Sequence, residues 1–112
     1  MKRGEVWLVD FAPQVGTEIT KQRPAVIVSV NGIAAFPTRL VVPFRERKAS
    51  HSSIVYFVAM QPSTNNGLTK ESTADCVQMK SLDHQRFLRK LGELSMTEFQ
   101  AVMDGVALCL GL

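Results

Sequence analysis

The sequence has few cysteines and no cysteine-based motif. Only Cys76 and Cys109 occur among the 112 residues, and their separation fits neither a C-x-x-C pair nor a zinc-binding pattern. Each lies among apolar residues, so both are expected to be small, buried hydrophobic side chains. Unpaired thiols are typical of proteins from a reducing compartment.

The sequence also has no long apolar run. No segment reaches the roughly 20 consecutive apolar residues that a membrane-spanning helix needs. Met1-Lys2-Arg3 is followed by Gly4-Glu5, where a secretory signal would carry an apolar stretch. We therefore expect a cytoplasmic protein with no membrane partner.

Motifs of several large enzyme classes are missing. The chain contains no G-x-x-x-x-G-K-[ST], no G-x-G-x-x-G and no H-E-x-x-H, and no G-x-S-x-G nucleophile turn. His51 and His84 lie in polar surroundings, so each is expected to be an isolated surface histidine. No metal site and no cofactor are predicted.

Length and charge set the broad class. The 112 residues amount to one domain, taken as residues 1–112, and 46% hydrophobic with 21% charged residues is typical of a soluble globular protein. The formal net charge is +3, which permits an anionic partner. Residues 1–50 carry eight Lys or Arg against four Asp or Glu, whereas residues 51–112 carry five against six. A phosphate-binding face is therefore expected in the N-terminal half.

Short runs rich in β-branched and aromatic residues indicate a mainly β fold. The second run is apolar on both faces, as expected of a central strand, and Pro43 in the third indicates an edge, bulge or strand end. Polar segments separate the runs and predict loops, among them the basic segment 45–53. The five predicted strands are 4–11, 24–30, 39–44, 54–60 and 73–80. Short strands joined by polar loops favour a small antiparallel barrel.

The C-terminal segment changes to helical periodicity. Ser95 and Glu98 form an S-x-x-E capping box, after which apolar residues recur at helical spacing. The apolar stripe consists of Phe99, Val102, Met103, Val106, Ala107 and Leu110. It is expected to pack on the barrel; a groove for a partner peptide is the alternative interpretation.

The segment VGTEITKQRPAVIVSV, residues 15–30, places an arginine where a polar loop meets a buried strand. Pro24 restricts Arg23 to an extended conformation, and the guanidinium offers a planar fork of donors suited to phosphate oxygens. Glu18 in the same loop can accept a proton or hold the arginine. Such a pair can cleave RNA without a metal, because the ribose 2′-hydroxyl supplies the nucleophile. A surface salt bridge is the commoner role for such an arginine.

These motifs resemble the MazF/PemK toxin family. The matching segments are RGEVWLVDFAP at 3–13, VGTEITKQRPAVIVSV at 15–30, RLVVPF at 39–44, GLTKESTADCVQMKSLD at 67–83 and the end of the chain from 91 to 112. The resemblance implies a homodimeric SH3-like or CcdB/Kid-like barrel with a C-terminal helix. It implies an endoribonuclease that cuts single-stranded mRNA at short sequences. It also implies a labile antitoxin with an acidic tail, similar to MazE.

The resemblance assigns roles to individual residues. Arg23 matches the catalytic arginine and Glu18 the loop glutamate of the family, while Arg45 stands where relatives usually carry a threonine or serine that supports the phosphate. Val77 replaces a frequent acidic residue. The residues expected to bind RNA are Thr17, Thr20, Lys21, Gln22, Arg47, Lys48, Ser72 and Gln78.

The sequence does not decide the role of Arg45 at the position where the resemblance implies a threonine or serine. Three outcomes are open: Arg45 stabilises charge in place of the hydroxyl, or Ser50, Ser52 or Ser53 supplies the hydroxyl, or activity is reduced. Two rival functions follow: a non-cleaving toxin of the same fold that acts on a protein target such as gyrase, and a barrel that binds only a peptide.

Overall fold

The fold is a curved antiparallel sheet with one C-terminal helix. A computed structural model describes residues 1–11, 16–17, 21–31 and 37–112. The elements are β1 (Glu5–Asp10), β2 (Gln22–Ile27), β3 (Thr38–Glu46), β4 (Phe57–Met60), β5 (Ser72–Asp75), β6 (Lys80–Asp83), β7 (Phe87–Glu93) and α1 (Met96–Leu110). The predicted class, antiparallel β with a C-terminal helix, is confirmed.

The strands follow the order β4-β5-β3-β2-β1-β7, and β6 pairs with the start of β3. One edge of β3 therefore pairs with two strands. Its residues up to Val41 pair with β6, and its residues from Phe44 onward pair with β5. Pro43 lies between these two ladders, in the interior of β3. A residue without an N–H fits such a break in the hydrogen-bond ladder.

The central strands bury both faces, as predicted for β2. On one face, the inner core, residues such as Val6, Val26 and Val42 pack with Val102 and Val106 of α1. On the other face, the outer core, lie Val9, Phe11, Ala25, Ile27, Val41, Leu82 and Phe87. Because side chains alternate along a strand, the odd-numbered residues of β2, β3 and β5 share the outer face.

The helix forms as its sequence predicts. The Ser95 hydroxyl accepts from the Glu98 N–H, the Glu98 carboxylate accepts from the Ser95 N–H, and Gly111 ends the helix in the left-handed conformation. Val102 and Val106 are buried, so the apolar stripe packs on the sheet. Leu110 of the same stripe is exposed.

The loop 61–67, between β4 and β5, contacts both the end of β7 and the helix α1. The Glu93 N–H donates to the Asn65 carbonyl at 2.8 Å. The buried Asn66 side chain donates to Glu98 Oε2 at 3.0 Å, and a Cβ at Gly67 would collide with the backbone of Leu91. The loop 61–67 thus fastens β7 and α1 together.

Several element predictions were wrong. The predicted strand 73–80 is divided, because a short 3-10 helix at Cys76–Gln78 turns the chain between β5 and β6. β3 continues into the predicted loop 45–53, and a 3-10 helix occupies Ala49–Ser53. The strand β7 was not predicted. Cys76 is buried as expected, but Cys109 is exposed.

Candidate active site

The register of the sheet brings the two candidate catalytic arginines to one place. The β2–β3 ladder pairs Ala25 with Pro43 and Ile27 with Val41. Extending that register by two residues sets Arg23 opposite Arg45, and both side chains belong to the outer face. Beyond Ala25 the β2–β3 ladder ends while β3 goes on to pair with β5. The two arginines therefore stand where the strands separate.

A cleft opens at this separation, which we call the arginine cleft. It has a volume of about 210 Å³. Its lining residues are Gln22, Arg23, Pro24, Phe44, Arg45, Glu46, Leu68, Thr69, Lys70 and Ser72. The sequence predicted four of them as site residues: Gln22, Arg23, Arg45 and Ser72.

The wall contributed by residues 68–70 was not predicted. Lys70 Nζ lies 3.6 Å from Glu46 Oε2, and both side chains are largely exposed. Thr69 adds an exposed hydroxyl. The polar sequence LTKES fits any solvated loop, so only the β3–β5 pairing reveals that it faces Arg23. Glu46 is the one carboxylate that lines the cleft among the described residues.

Arg45 forms an ion pair with a buried carboxylate. Its Nη1 donates to Asp75 Oδ2 at 3.1 Å, and the side chains are 36% and 1% exposed, respectively. The guanidinium also lies over the Phe57 ring, 5.9 Å from its centroid. Burial raises the pKa of Asp75, and the Arg45 hydrogen bond opposes that rise.

A second network holds Arg47, the residue that directly follows β3. Arg47 Nη1 donates to Thr73 Oγ1 at 3.1 Å, and Thr73 Oγ1 lies 2.8 Å from His51 Nδ1. The Lys48 N–H donates to the same His51 nitrogen at 3.2 Å. Because Nδ1 receives the Lys48 N–H, the neutral His51 tautomer carries its proton on Nε2. The prediction of a surface histidine was wrong for His51, which is 5% exposed, since the 3-10 helix folds it onto Thr73 and Phe57.

The remaining predicted residues are distributed around this centre. Thr17, Lys21 and Lys48 are exposed, whereas Gln78 is half-buried and lies in the 3-10 helix, not in a strand. Lys21 has a φ of 69° immediately before β2, a conformation that costs a non-glycine residue energy. Glu18 and Thr20 lie outside the described residues.

Hydroxyl groups near the cleft are partly committed to the backbone. The Ser72 hydroxyl donates to the Lys70 carbonyl at 2.9 Å. The Ser52 and Ser53 hydroxyls donate to carbonyls within their own 3-10 helix. Neither these two nor Ser50 belongs to the cleft lining among the described residues. Thr69 is therefore better placed than these serines to supply the hydroxyl that position 45 lacks.

In the part of the chain that the structure describes, no three His, Cys, Asp or Glu side chains come together as candidate metal ligands. Among the same residues, no helix combines the length and the apolar character needed to cross a membrane.

Sequence comparison identifies a family. A family model described as PemK-like, MazF-like toxin of type II toxin-antitoxin system matches residues 2–110. The chain is 36% identical over 119 aligned positions to the endoribonuclease MazF9 of Mycobacterium tuberculosis, covering 100% of this chain and 98% of that protein. It is 29% identical over 112 positions to the endoribonuclease MazF of Staphylococcus saprophyticus, covering 100% and 92%.

Solved structures share the fold at lower identity. MazF from Deinococcus radiodurans superposes with a TM-score of 0.83 at 21% identity, covering 100% of this chain and 97% of that one. A mycobacterial endoribonuclease, solved in complex with its cognate antitoxin, superposes with a TM-score of 0.78 at 22% identity, covering 100% and 96%. These similarities support the antiparallel sheet and the terminal helix.

Proposed function

The chain belongs to the PemK-like, MazF-like toxins of type II toxin–antitoxin systems, and we propose that it is a sequence-specific, metal-independent endoribonuclease that cleaves single-stranded RNA, an mRNA interferase. The observation that carries this proposal is the convergence of Arg23 and Arg45 on the arginine cleft. Two guanidinium groups beside one cleft suit an anionic phosphate whose charge increases during reaction.

The proposed reaction uses the ribose 2′-hydroxyl of the substrate. Its oxygen attacks the adjacent phosphorus while the bond from phosphorus to the 5′-oxygen breaks. Arg23 stabilises the negative charge on the phosphorane, and Arg45 supports it from the opposite strand. Glu18 takes the proton of the 2′-hydroxyl, and the leaving 5′-oxygen takes a proton from water. The products are a 2′,3′-cyclic phosphate, or a 3′-phosphate after hydrolysis, and a 5′-hydroxyl.

The RNA on either side of the scissile phosphate is proposed to contact the residues around the cleft. Lys21, Arg47 and Lys48 supply positive charge, while the other groups supply hydrogen bonds. This second set is Thr17, Thr20, Gln22, Ser72 and Gln78.

We propose two protein partners. One is a cognate, acidic, MazE-like antitoxin; related toxins have been solved with an antitoxin. The other is a second copy of the chain, forming a homodimer. Light scattering of the purified protein at micromolar concentration should give twice the 12.4 kDa chain mass. A monomer mass would rule out an RNA groove shared by two chains.

We further propose that residues 1–112 act as a single toxin domain in the cytoplasm. The exposed, free Cys109 supports a reducing compartment.

One assay tests the central proposal. Purified protein is incubated with a long single-stranded RNA in EDTA, and the products are mapped at their ends. Discrete fragments with 5′-hydroxyl ends support the endoribonuclease and its independence from a metal. Intact RNA that is retained in a gel favours a non-cleaving binder, whereas no RNA contact favours a toxin that acts on a protein target or a domain that binds only a peptide.

A further inference from the structure

Asp75 is buried without the full set of hydrogen bonds that a buried carboxylate needs. Oδ2 accepts from Arg45 and the Gln78 backbone N–H also stabilises the carboxylate, but Oδ1 has no hydrogen-bond partner among the described residues. The side chain is 1% exposed. A buried carboxylate whose second oxygen is unsatisfied lowers the stability of a fold. Stability alone therefore does not explain why aspartate occupies this position.

The surroundings of Asp75 favour another role. In the sheet, Asp75 lies directly opposite Phe57 of β4, and Arg45 reaches it diagonally, because the residue opposite Arg45 is Thr73. The guanidinium is thus fixed by a carboxylate at one nitrogen and by the Phe57 ring below it. Both constraints come from strands, which hold side chains more precisely than loops do.

The ion pair leaves part of Arg45 available to a ligand. Its side chain is 36% exposed and lines the arginine cleft. Only Nη1 is engaged by Asp75, and a guanidinium carries five N–H donors in a fixed plane. Fixing one nitrogen therefore orients the other donors as well.

We propose that Asp75 is a positioning residue that aims the Arg45 guanidinium at the scissile phosphate. The inference rests on the proposed function and deepens it, because it explains how an arginine serves where the family resemblance implies a compact hydroxyl. A long side chain needs an external anchor to hold one geometry, whereas threonine or serine does not. Asp75 supplies that anchor from β5.

The test is a double-mutant cycle on cleavage kinetics, made from Asp75→Asn and Arg45→Ala. Asp75→Asn keeps the shape of the side chain and removes the charge that fixes Arg45. We expect it to lower kcat about tenfold, since a small displacement of a catalytic group is costly. In the Arg45→Ala background the same change should alter kcat less than twofold. The thermal midpoint of Asp75→Asn should be equal to that of the wild type or higher, because the buried charge is gone.

Asp83→Asn is the matched control. Asp83 also precedes a 3-10 helix and accepts the Gln85 N–H at 2.9 Å, but it does not line the arginine cleft. Its replacement should leave kcat unchanged. The proposal would be overturned if Asp75→Asn lowered kcat equally in the wild-type and Arg45→Ala backgrounds. It would also be overturned if Asp75→Asn left kcat unchanged, or if unfolding of the variant explained its loss of activity.

The cycle also separates this inference from the proposed function. If the wild-type protein leaves RNA intact, the endoribonuclease proposal fails. The cycle is then read from the affinity for the intact RNA. A loss of affinity in Asp75→Asn that requires Arg45 supports the positioning role, and equal affinities overturn it.

Discussion

The Nδ1 atom of His51 lies 2.8 Å from the Thr73 hydroxyl oxygen, beside two arginines and a lysine. Burial lowers the pKa of His51, and the positive charges of Arg45, Arg47 and Lys48 lower it further, whereas Asp75 opposes them. The unfolded chain therefore takes up a proton at a higher pH than the folded protein does. We expect the His51 contribution to the free energy of unfolding to be complete above about pH 6.5 and to be lost as the pH falls through the lowered pKa.

Urea unfolding between pH 5 and 8 measures this effect. The comparison is with His51→Asn, whose amide oxygen can accept the same hydrogen bonds without titrating. Asp75 has a raised pKa, so its effect on the pH dependence of the free energy of unfolding has the opposite sign. The quantity to compare is therefore the difference in free energy of unfolding between the wild type and His51→Asn at each pH. His84→Asn, at an exposed histidine, is the control. Parallel stability curves for wild type and His51→Asn would contradict the prediction.

Arg23→Ala should keep the fold and remove most cleavage. Arg23 is the second residue of β2, and its side chain is only half-buried, so little packing is lost. Loss of one preorganised donor to a developing oxyanion typically lowers the rate by about 10²–10³-fold. Single-turnover cleavage is the measurement, with Arg89→Ala on the exposed surface of β7 as a charge-matched control. Wild-type turnover by folded Arg23→Ala would remove Arg23 from the mechanism.

Arg45→Thr introduces the hydroxyl that the family resemblance implies at this position, but it removes the Arg45 hydrogen bond to the buried Asp75 carboxylate. We expect the variant to lose about 1–3 kcal/mol of stability, the usual cost of an unsatisfied buried acceptor. Adding Asp75→Asn should recover part of that loss. Chemical denaturation of the single and double variants checks this. Equal stability of the wild type and Arg45→Thr would show that solvent reaches Asp75.

RNA binding by Arg45→Thr reports on the charge itself. If Arg45 contacts a phosphate, its replacement should weaken binding at low salt. It should also flatten the slope of log affinity against log salt by about 0.7, the value for single-stranded nucleic acid. An unchanged slope would show that Arg45 serves only the fold.

Gly105→Ala should destabilise the protein although alanine favours helices. A Cβ added at Gly105 would lie 2.6 Å from Cys76 Sγ and 3.1 Å from Val58 Cγ2. Overpacking of this kind costs about 1–3 kcal/mol, against a gain of about 1 kcal/mol in helix propensity. Adding Cys76→Ala should relieve the clash and restore part of the thermal midpoint. A higher midpoint for Gly105→Ala alone would mean that α1 shifts freely over the 3-10 helix.

Local patterns were enough to predict most of the fold. The central β2, the helix and its capping box follow from runs of apolar residues and from adjacent capping residues, which are short-range signals. The break after Asp75 could not be predicted, because Cys76 turns beneath Val102 and Gly105, which are distant in sequence. β7 was missed because Leu88, Arg89 and Lys90 are consecutive exposed residues, so the strand lacks a clear alternation.

The candidate site was predictable only in part for the same reason. Arg23 was proposed from the sequence because Pro24 and the buried strand after it are adjacent in sequence. The partner of Arg45 was not predicted, because Asp75 is 30 residues away in the sequence. The two residues come together only through the pairing of β3 with β5. The burial of His51 also depends on that register, because its hydrogen-bond partner is Thr73.

The alternation of side chains along β3 makes the cleft sensitive to chain length. Arg45 shares the outer face with Val41 and Pro43, while its neighbour Phe44 belongs to the inner core. One residue inserted between Val41 and Phe44 would exchange the two faces, turning the guanidinium towards the apolar interior and the Phe44 side chain towards the outer face. Two inserted residues would preserve the faces but slide Arg45 away from Asp75. Substitutions can therefore change the side chains at the cleft while the fold is kept. Insertions and deletions are expected only in the connections between strands.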